Sequence, residues 1–137
     1  MTKKKIIVVD DNFLLSKTLD ICLSKKGHDV RVFCTGADAV KYFFAEKSEE
    51  KPDSVVLDIK LPDCDGWFVA RLLGKIDWGK DVPLIMTSVL EPDSGKMADI
   101  KPYAYIQKPF DMGHLLKTIE TSLIEFNPSP AMTQISL

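Results

Sequence analysis

The chain has no long hydrophobic run and little cysteine. No apolar stretch in its 137 residues approaches the roughly 20 that a membrane-spanning helix needs. The apolar run behind Met1–Lys5 stops at Asp10, which is too short for a signal peptide. The three cysteines, Cys22, Cys34 and Cys64, form no Cys-x-x-Cys pair. We therefore expect free thiols in a reducing cytosol, a cytoplasmic protein and no membrane partner.

The chain also has no large excess of charge of one sign, and it has few histidines. The formal net charge is -2, so there is no electrostatic reason to expect a nucleic acid as a partner. The two histidines, His28 and His114, have no cysteine, histidine or glutamate at metal-ligand spacing, and we predict that both lie on the surface. Internal repeats, low-complexity tracts and a helix-turn-helix pattern are missing as well. These absences indicate an ordinary globular domain, and nothing in it supports transcriptional activity.

Five short apolar runs alternate with amphipathic stretches. The runs predicted as strands are Ile6–Val9, Val30–Cys34, Ser54–Leu57, Pro83–Met86 and Tyr103–Gln107. A helical segment follows each, the weakest near Ser94–Ile100, where Pro92 and Gly95 limit it to about two turns. This alternation favours right-handed βαβ units, and hence one parallel sheet with helices on both faces. We place one domain at 1–126 and a flexible tail or the start of a linker at 127–137, which has two prolines and no apolar period.

Helical spacing also predicts which side chains of three helical segments pack in the core. The residues assigned to the core on this basis are Ala37, Val40, Phe43, Phe44, Trp67, Phe68, Leu116, Ile119, Leu123 and Phe126. The last of these helices is predicted to begin after Asp111, a good N-cap residue.

Acidic residues stand where two of the predicted strands end. Asp10 and Asp11 follow the first strand, and Asp58 follows the third. The carboxyl ends of parallel strands share one edge of the sheet, which is where the ligands of open α/β sheets gather. Carboxylates that lie this close together raise one another's pKa or recruit a cation. An all-oxygen cluster suits Mg²⁺ (or Mn²⁺), so these residues predict a metal site.

A hydroxyl and an ammonium arrive at the same edge. Thr87 follows the fourth strand and Lys108 the fifth. Together with a metal ion they form a constellation for handling a phosphoryl group, because cations neutralise its oxygens and a hydroxyl donates a hydrogen bond to one of them. Asp58 is then placed to attack phosphorus as a carboxylate nucleophile and to form an acyl phosphate.

Four stretches at the strand ends form a specific set. They are Val9–Asn12, Leu57–Gly66, Met86–Ser88 and Tyr105–Phe110. Together, in this order, they resemble the receiver domain of two-component response regulators (CheY-like proteins), over about residues 4 to 126. The resemblance implies an α/β, flavodoxin-like (βα)5 three-layer sandwich whose parallel five-stranded sheet has the order 2-1-3-4-5. Residues 1–126 would then be a receiver domain.

The resemblance implies a role for each acidic residue. Asp58 would accept a phosphoryl group from a histidine kinase or a phosphotransfer protein. Asp11, Asp58 and the backbone carbonyl of Lys60 would bind Mg²⁺ (or Mn²⁺) directly, and Asp10 would bind it through water.

The resemblance also implies a switch. Thr87 and Lys108 would hold the phosphoryl oxygens, and Tyr105 would turn inward when Thr87 moves toward the phosphoryl group. The Lys108–Pro109 bond is typically cis in the family. An unknown downstream protein would bind the face near Glu91–Phe110 and the last helix, and the resemblance is also compatible with a homodimer.

The chain is expected to be a phosphoacceptor that takes part in its own phosphotransfer, and not an enzyme. Lys60 and Val89 stand two residues after Asp58 and Thr87, positions that flank the path of the hydrolytic water in the family. Neither a lysine nor a valine supplies a carboxylate or an amide to orient water. We therefore predict slow self-dephosphorylation.

Other interpretations stay open at this point. A pseudo-receiver would use the same fold to bind proteins without phosphorylation. An aspartate-nucleophile phosphatase would need a second acid where Lys60 stands, and a flavin-binding protein would need a Ser/Thr-rich loop after the first strand. Locally, the aspartate pair could simply cap the first helix, and Tyr105 could simply pack. Asp63 and Asp65 are predicted to be turn formers and not ligands.

Overall fold

The computed structural model describes residues 3–126, and the predicted tail at 127–137 lies outside them. Five strands alternate with five α-helices. The strands are β1 (Lys5–Val9), β2 (Asp29–Phe33), β3 (Ser54–Asp58), β4 (Leu84–Ser88) and β5 (Ala104–Gln107). The helices are α1 (Phe13–Lys25), α2 (Gly36–Ala45), α3 (Gly66–Leu73), α4 (Ser94–Ile100) and α5 (Met112–Glu125).

The strands form one parallel sheet in the order β2-β1-β3-β4-β5, which confirms the predicted flavodoxin-like fold. β3 and β4 are buried along their whole length, because helices cover both faces of the sheet there. The register places Val9 beside Leu57 and Asp58 beside Thr87. The ends of β1, β3 and β4 therefore meet at one edge. None of the described helices is long and apolar enough to cross a membrane.

The core has two halves, one on each face of the sheet. Alternate residues of a strand point to opposite faces, so Ile7 belongs to one half and Ile6 to the other. The half that contains Phe43 and Trp67 packs under α2 and α3. The other half contains Leu19 of α1 and packs under α1 and α5.

Several side chains that were assigned to the core prove to be exposed. Phe44 is 56% exposed and Phe68 is 49% exposed, and Ala37 also faces solvent. Phe43 is buried as predicted, and Ala39 shares the buried face of α2 with it. Successive helical residues differ by about 100° around the axis, so only one residue of a neighbouring apolar pair can face the sheet.

The stripe of α5 is rotated by one residue from its predicted position. Leu115, Ile119 and Ser122 are buried, whereas Leu116 and Leu123 lie half-buried at the flanks. The prediction missed this because a serine occupies the centre of the face. Its hydroxyl lies 3.1 Å from the Ser54 hydroxyl on β3, and this contact satisfies both buried polar groups.

His28 is buried, which makes its predicted surface location wrong, whereas His114 is exposed as predicted. Gly27 has a φ of 90°, and this left-handed turn directs the next residue back toward the sheet. The Nδ1 atom of His28 accepts a hydrogen bond of 3.3 Å from the backbone N–H of Lys4. Its Nε2 atom lies 3.5 Å from a carboxylate oxygen of Glu120 on α5.

Candidate functional site

Three carboxylates meet at the carboxyl ends of β1 and β3. Asp10 is 1% exposed and Asp58 is 5% exposed, whereas Asp11 lies open to solvent. One carboxylate oxygen from each of the three lies within 4.8 Å of the others. The structure thus brings together the three acids that the sequence placed at two strand ends.

The start of α1 is capped by Asn12 and not by the aspartates before it. The side-chain oxygen of Asn12 accepts a hydrogen bond of 3.1 Å from the N–H of Leu15. Asp10 instead accepts a hydrogen bond of 2.8 Å from the N–H of Asn12 through one oxygen. Its other oxygen faces Lys108. The capping interpretation of the aspartate pair is therefore wrong.

Lys108 links two of the acids. Its ammonium lies 3.2 Å from a carboxylate oxygen of Asp10 and 3.3 Å from one of Asp58. Burial lowers the pKa of this ammonium, but the two carboxylates outweigh burial and hold the pKa above its ordinary value. The Lys108–Pro109 peptide bond is cis, as the resemblance implied.

The Asp58 carboxyl group has a pKa above its ordinary value of 3.8. Burial is the largest cause, and the nearby charge of Asp10 adds to it. The Lys108 ammonium and a hydrogen bond of 3.2 Å from the N–H of Lys60 act in the opposite direction. The carboxylates thus carry more negative charge than one ammonium balances, which is the condition under which a site attracts a cation.

Thr87 carries a buried hydroxyl next to this site. The residue is 0% exposed and pairs with Asp58 in the sheet register. Its oxygen has no hydrogen-bond partner among the described residues. A buried polar group left unpaired costs about 1–3 kcal/mol. An oxygen-rich ligand above Asp58 would supply the missing partner, so both the hydroxyl and the all-oxygen donor set fit a metal ion with a phosphoryl group.

A pocket of about 320 Å³ opens over Asp58. Its lining consists of Asp11, Asp58, Lys60, Leu61, Pro62, Val89 and Lys108. The lysine and the valine that were predicted to flank the path of hydrolytic water thus both lie in the wall of the pocket. Asp58 is buried against the sheet but faces this opening.

Tyr105 lies half-buried at the side of the site. Its hydroxyl donates a hydrogen bond of 2.7 Å to the carbonyl of Leu90, which is in the loop after β4. Its ring stacks on Trp67, with centroids 6.2 Å apart and planes inclined by 18°. In the sheet Tyr105 pairs with Met86, the residue before Thr87. The ring therefore adjoins both the strand that carries Thr87 and the loop that follows it.

Asp63 and Asp65 lie outside the carboxylate cluster and serve helix starts. Asp65 is the N-cap of α3 and accepts a hydrogen bond of 2.8 Å from the N–H of Trp67. Asp63 accepts hydrogen bonds from two N–H groups at the start of α2, far away in the sequence. This second contact was not predictable from the sequence, because spacing alone does not reveal which loop meets which helix.

The family model of the response regulator receiver domain matches residues 6–120 of the chain. Among solved structures, the non-phosphorylated HemR receiver domain from Leptospira biflexa is 25% identical, with a TM-score of 0.79, over 93% of this chain and 99% of that chain.

Two other solved structures are similar. The BeF3-activated N-terminal receiver domain of RstA from Klebsiella pneumoniae is 28% identical, with a TM-score of 0.70, over 88% of this chain and 99% of that chain. The receiver domain of a sensor histidine kinase from Pseudomonas aeruginosa, described with a magnesium ion coordinated in its active-site cleft, shares the fold at 22% identity, with a TM-score of 0.74, over 90% of this chain and all of that chain. The family model spans most of the present chain, and residues at four of the strand ends line one pocket. This chain therefore belongs to the family of response regulator receiver domains.

Proposed function

We propose that the chain is a phosphoacceptor module, in which Asp58 receives a phosphoryl group and the fold converts this charge change into altered partner binding. The observation that carries the proposal is the position of Lys108, whose ammonium bridges Asp10 and Asp58 at the mouth of an open pocket. Thr87 supports it, because its unpartnered buried hydroxyl stands beside Asp58.

The donor is proposed to be a phosphohistidine on a histidine kinase or a phosphotransfer protein. A carboxylate oxygen of Asp58 attacks phosphorus, the P–N bond of the donor breaks, and the imidazole leaves with the electron pair. The product is an acyl phosphate on Asp58. Lys108 and Thr87 bind the phosphoryl oxygens as negative charge accumulates on them. The other metal-site groups would be Asp10, through water, Asp11 and the carbonyl of Lys60. When bound there, Mg²⁺ (or Mn²⁺) would supply the positive charge that neutralises phosphoryl oxygens.

The readout is proposed to pass through Thr87 and Tyr105. A phosphoryl oxygen offers the Thr87 hydroxyl a partner, and the movement of Thr87 leaves room for the neighbouring ring of Tyr105 to turn inward. This change would break the hydrogen bond from Tyr105 to Leu90 and release the loop after β4. A downstream protein, or a second copy of the chain, would then bind the face near Glu91–Phe110 and α5.

The module is proposed to act as a signalling partner in a phosphorelay and not as an enzyme with turnover. Its own hydrolysis of the acyl phosphate would be slow, because Lys60 and Val89 line the pocket without offering a group to orient water. The same lysine disfavours an aspartate-nucleophile phosphatase, which needs an acid at that position to protonate its leaving group.

The test is incubation of the protein with a small acyl phosphate donor and Mg²⁺, followed by intact-mass measurement. The wild type should gain one phosphoryl group, and Asp58→Asn should gain none. Chelation of the metal should abolish the gain. An unmodified wild type under all conditions would instead favour a pseudo-receiver, which binds partners without phosphorylation.

A further inference from the structure

We propose that Asp63 is a positioning residue for the divalent cation: by tying the loop after Asp58 to the start of α2, it holds the backbone carbonyl of Lys60 in place. The inference rests on the proposed function and extends it to a side chain that lies outside the pocket. It also gives α2 a part in the site, although no α2 residue lines the pocket over Asp58.

The loop between β3 and α3 is closed at its base but open at its tip. Lys60 and Asp65 form an antiparallel bridge across the base. Within it, the N–H of Leu61 donates a hydrogen bond of 3.3 Å to the carbonyl of Cys64. Asp63 lies at the exposed tip. The base contacts therefore shape the loop, but they do not by themselves fix the tip against the rest of the protein.

The side chain of Asp63 supplies that missing attachment. One carboxylate oxygen accepts a hydrogen bond of 2.8 Å from the N–H of Gly36, and the other accepts one of 2.9 Å from the N–H of Ala37. Both donors are in the first turn of α2, where helix geometry leaves N–H groups without partners and favours a negative charge. These hydrogen bonds lower the pKa of the Asp63 carboxyl group, so it is ionised at neutral pH. Asp63 is thus bound to the start of α2 by two charge-assisted hydrogen bonds.

The loop approaches the helix closely at Gly36. A Cβ atom there would collide with the sulfur of Cys64 and force that side chain to shift. The Cys64 side chain therefore packs on the helix backbone, and the two hydrogen bonds of Asp63 lie beside this contact. The loop is therefore held in one position relative to α2 for as long as Asp63 keeps these hydrogen bonds.

The proposed metal ligand lies on the same loop. The N–H of Lys60 donates to a carboxylate oxygen of Asp58, 3.2 Å away, so the Lys60 peptide is oriented by the acceptor on one side and by the loop on the other. When the tip is released, the loop samples more conformations. Cation binding must then order the loop, which Asp63 keeps ordered in the wild type. The free energy needed for this ordering weakens the binding of the cation.

The test compares the dissociation constant of Mg²⁺, measured by isothermal titration calorimetry, in wild type, Asp63→Ala and Thr35→Ala. Thr35 is the matched control because its hydroxyl caps the same helix, by accepting a hydrogen bond of 3.2 Å from the N–H of Asp38, and makes no hydrogen bond to the loop within the described residues. Urea unfolding of each protein monitors folding. We expect both variants to lower the unfolding midpoint. Only Asp63→Ala should raise the dissociation constant, by about tenfold, the low end of what residues supporting metal ligands contribute.

Asp63→Asn keeps one acceptor oxygen, and we expect it to recover part of the lost affinity; it also serves in place of Asp63→Ala should that variant not fold. Wild-type affinity in a destabilised Asp63→Ala would overturn the inference, as would equal weakening by Thr35→Ala. A wild type that does not bind Mg²⁺ would overturn the proposed function itself, and that failure is visible before any variant is compared.

Discussion

At the scale of single residues, the side chains of the site are of two kinds. Some stabilise the fold, and others occupy buried positions that lower its stability. Thr87 belongs to the second kind, since its hydroxyl is buried without a partner among the described residues. Lys108 and Asp58 belong to it as well, because burial acts against the charge of each. Natural proteins tolerate such local conflicts mainly where function requires them.

Thr87→Val tests whether the hydroxyl serves chemistry or packing. Valine has nearly the same shape and removes an unpaired polar group, so we expect the free energy of unfolding to stay the same or to rise by about 1 kcal/mol. Phosphorylation by a small acyl phosphate should become several-fold slower, since one donor to the phosphoryl oxygens is lost. Chemical denaturation and the time course of intact mass measure the two effects. Thr87→Ser should retain the phosphorylation rate, and a marked loss of stability in Thr87→Val would assign the hydroxyl to the fold.

Lys60→Asn tests the prediction of slow dephosphorylation. An amide at this position can orient a water molecule toward phosphorus but cannot take its proton, so the lifetime of the phosphoryl group on Asp58 should shorten by about tenfold, less than the roughly 100-fold or more that a positioned general base contributes. Phosphorylated protein is separated from the donor, and the decay of its intact mass is followed. Lys75→Asn, at an exposed position two residues past the end of α3, is the control. A wild-type lifetime of only seconds that Lys60→Asn leaves unaltered would contradict the prediction.

At the scale of elements, residues at the helix ends determine where the helices begin and end. α1, α3 and α5 are capped by their own N-cap side chains, whereas α2 receives a second cap from Asp63 of a distant loop. α4 ends differently, because Lys101 adopts a φ of 54° as its C-cap. A left-handed conformation is unfavourable for a residue with a Cβ atom, and Pro102 directly after it prevents the helix from continuing.

Lys101→Gly should stabilise the protein. Relief of the left-handed strain contributes about 1–2 kcal/mol and the greater freedom of glycine in the unfolded chain removes about 0.5–1 kcal/mol, so a net gain of about 0.5 kcal/mol is expected. The measurement is urea unfolding at pH 7. Lys101→Ala keeps the strain and should leave the unfolding midpoint almost unchanged. A destabilised Lys101→Gly would show that the lysine side chain itself stabilises this end of α4.

The attachment of Asp63 to α2 predicts a dependence of stability on pH. The folded-state pKa of this carboxyl group is depressed below 3.8 by the N–H groups of Gly36 and Ala37. Its contribution to stability is therefore fully present above the unfolded-state pKa, and is lost as the pH falls from about 4 through the lower folded-state pKa. Urea unfolding of wild type and Asp63→Asn over this range should show a difference that shrinks toward acid. A difference that is constant with pH would mean that the charge has no role in the attachment.

The elements show what sequence patterns can and cannot specify. The five strands were predicted close to their observed bounds, because apolar runs and turn residues act locally. The face of α2 was assigned wrongly at Phe44 and the burial of Ser122 on α5 was missed, since the rotation of a helix is set by the sheet it packs against. The burial of His28 and the reach of Asp63 to α2 also escaped prediction. Both depend on contacts between segments far apart in the chain, which spacing does not encode.

At the scale of the whole molecule, the parallel sheet gathers the site. Asp10 and Lys108 each follow a strand, Asp58 ends one and Thr87 lies one residue before the end of another, and parallel pairing places those strand ends at one edge. The candidate site was therefore predictable from strand ends alone, once the strands were known to be parallel. The distances within it were not, because they depend on the side-chain pairing of Lys108 with two acids at once.

Mg²⁺ should stabilise the molecule as a whole, because the folded chain gathers carboxylates that the unfolded chain leaves apart. At a concentration about 100 times the dissociation constant, the gain in unfolding free energy is expected to be about 2.7 kcal/mol. Thermal unfolding with and without Mg²⁺ measures it as an increase in Tm. Asp11→Asn removes one exposed carboxylate and should abolish most of the increase while leaving the metal-free Tm almost unchanged. An increase of equal size in Asp11→Asn would place the cation elsewhere.

The neutral cap of α1 has a consequence for how the site can change over time. Because the amide of Asn12 closes the first turn, Asp11 is not needed to cap that helix, whereas Asp10 also accepts a hydrogen bond from the N–H of Asn12. A substitution of Asp11 can therefore alter the charge of the pocket while the scaffold stays intact. A descendant protein that no longer accepts a phosphoryl group because of such a substitution would still fold, and it could act by binding partners alone.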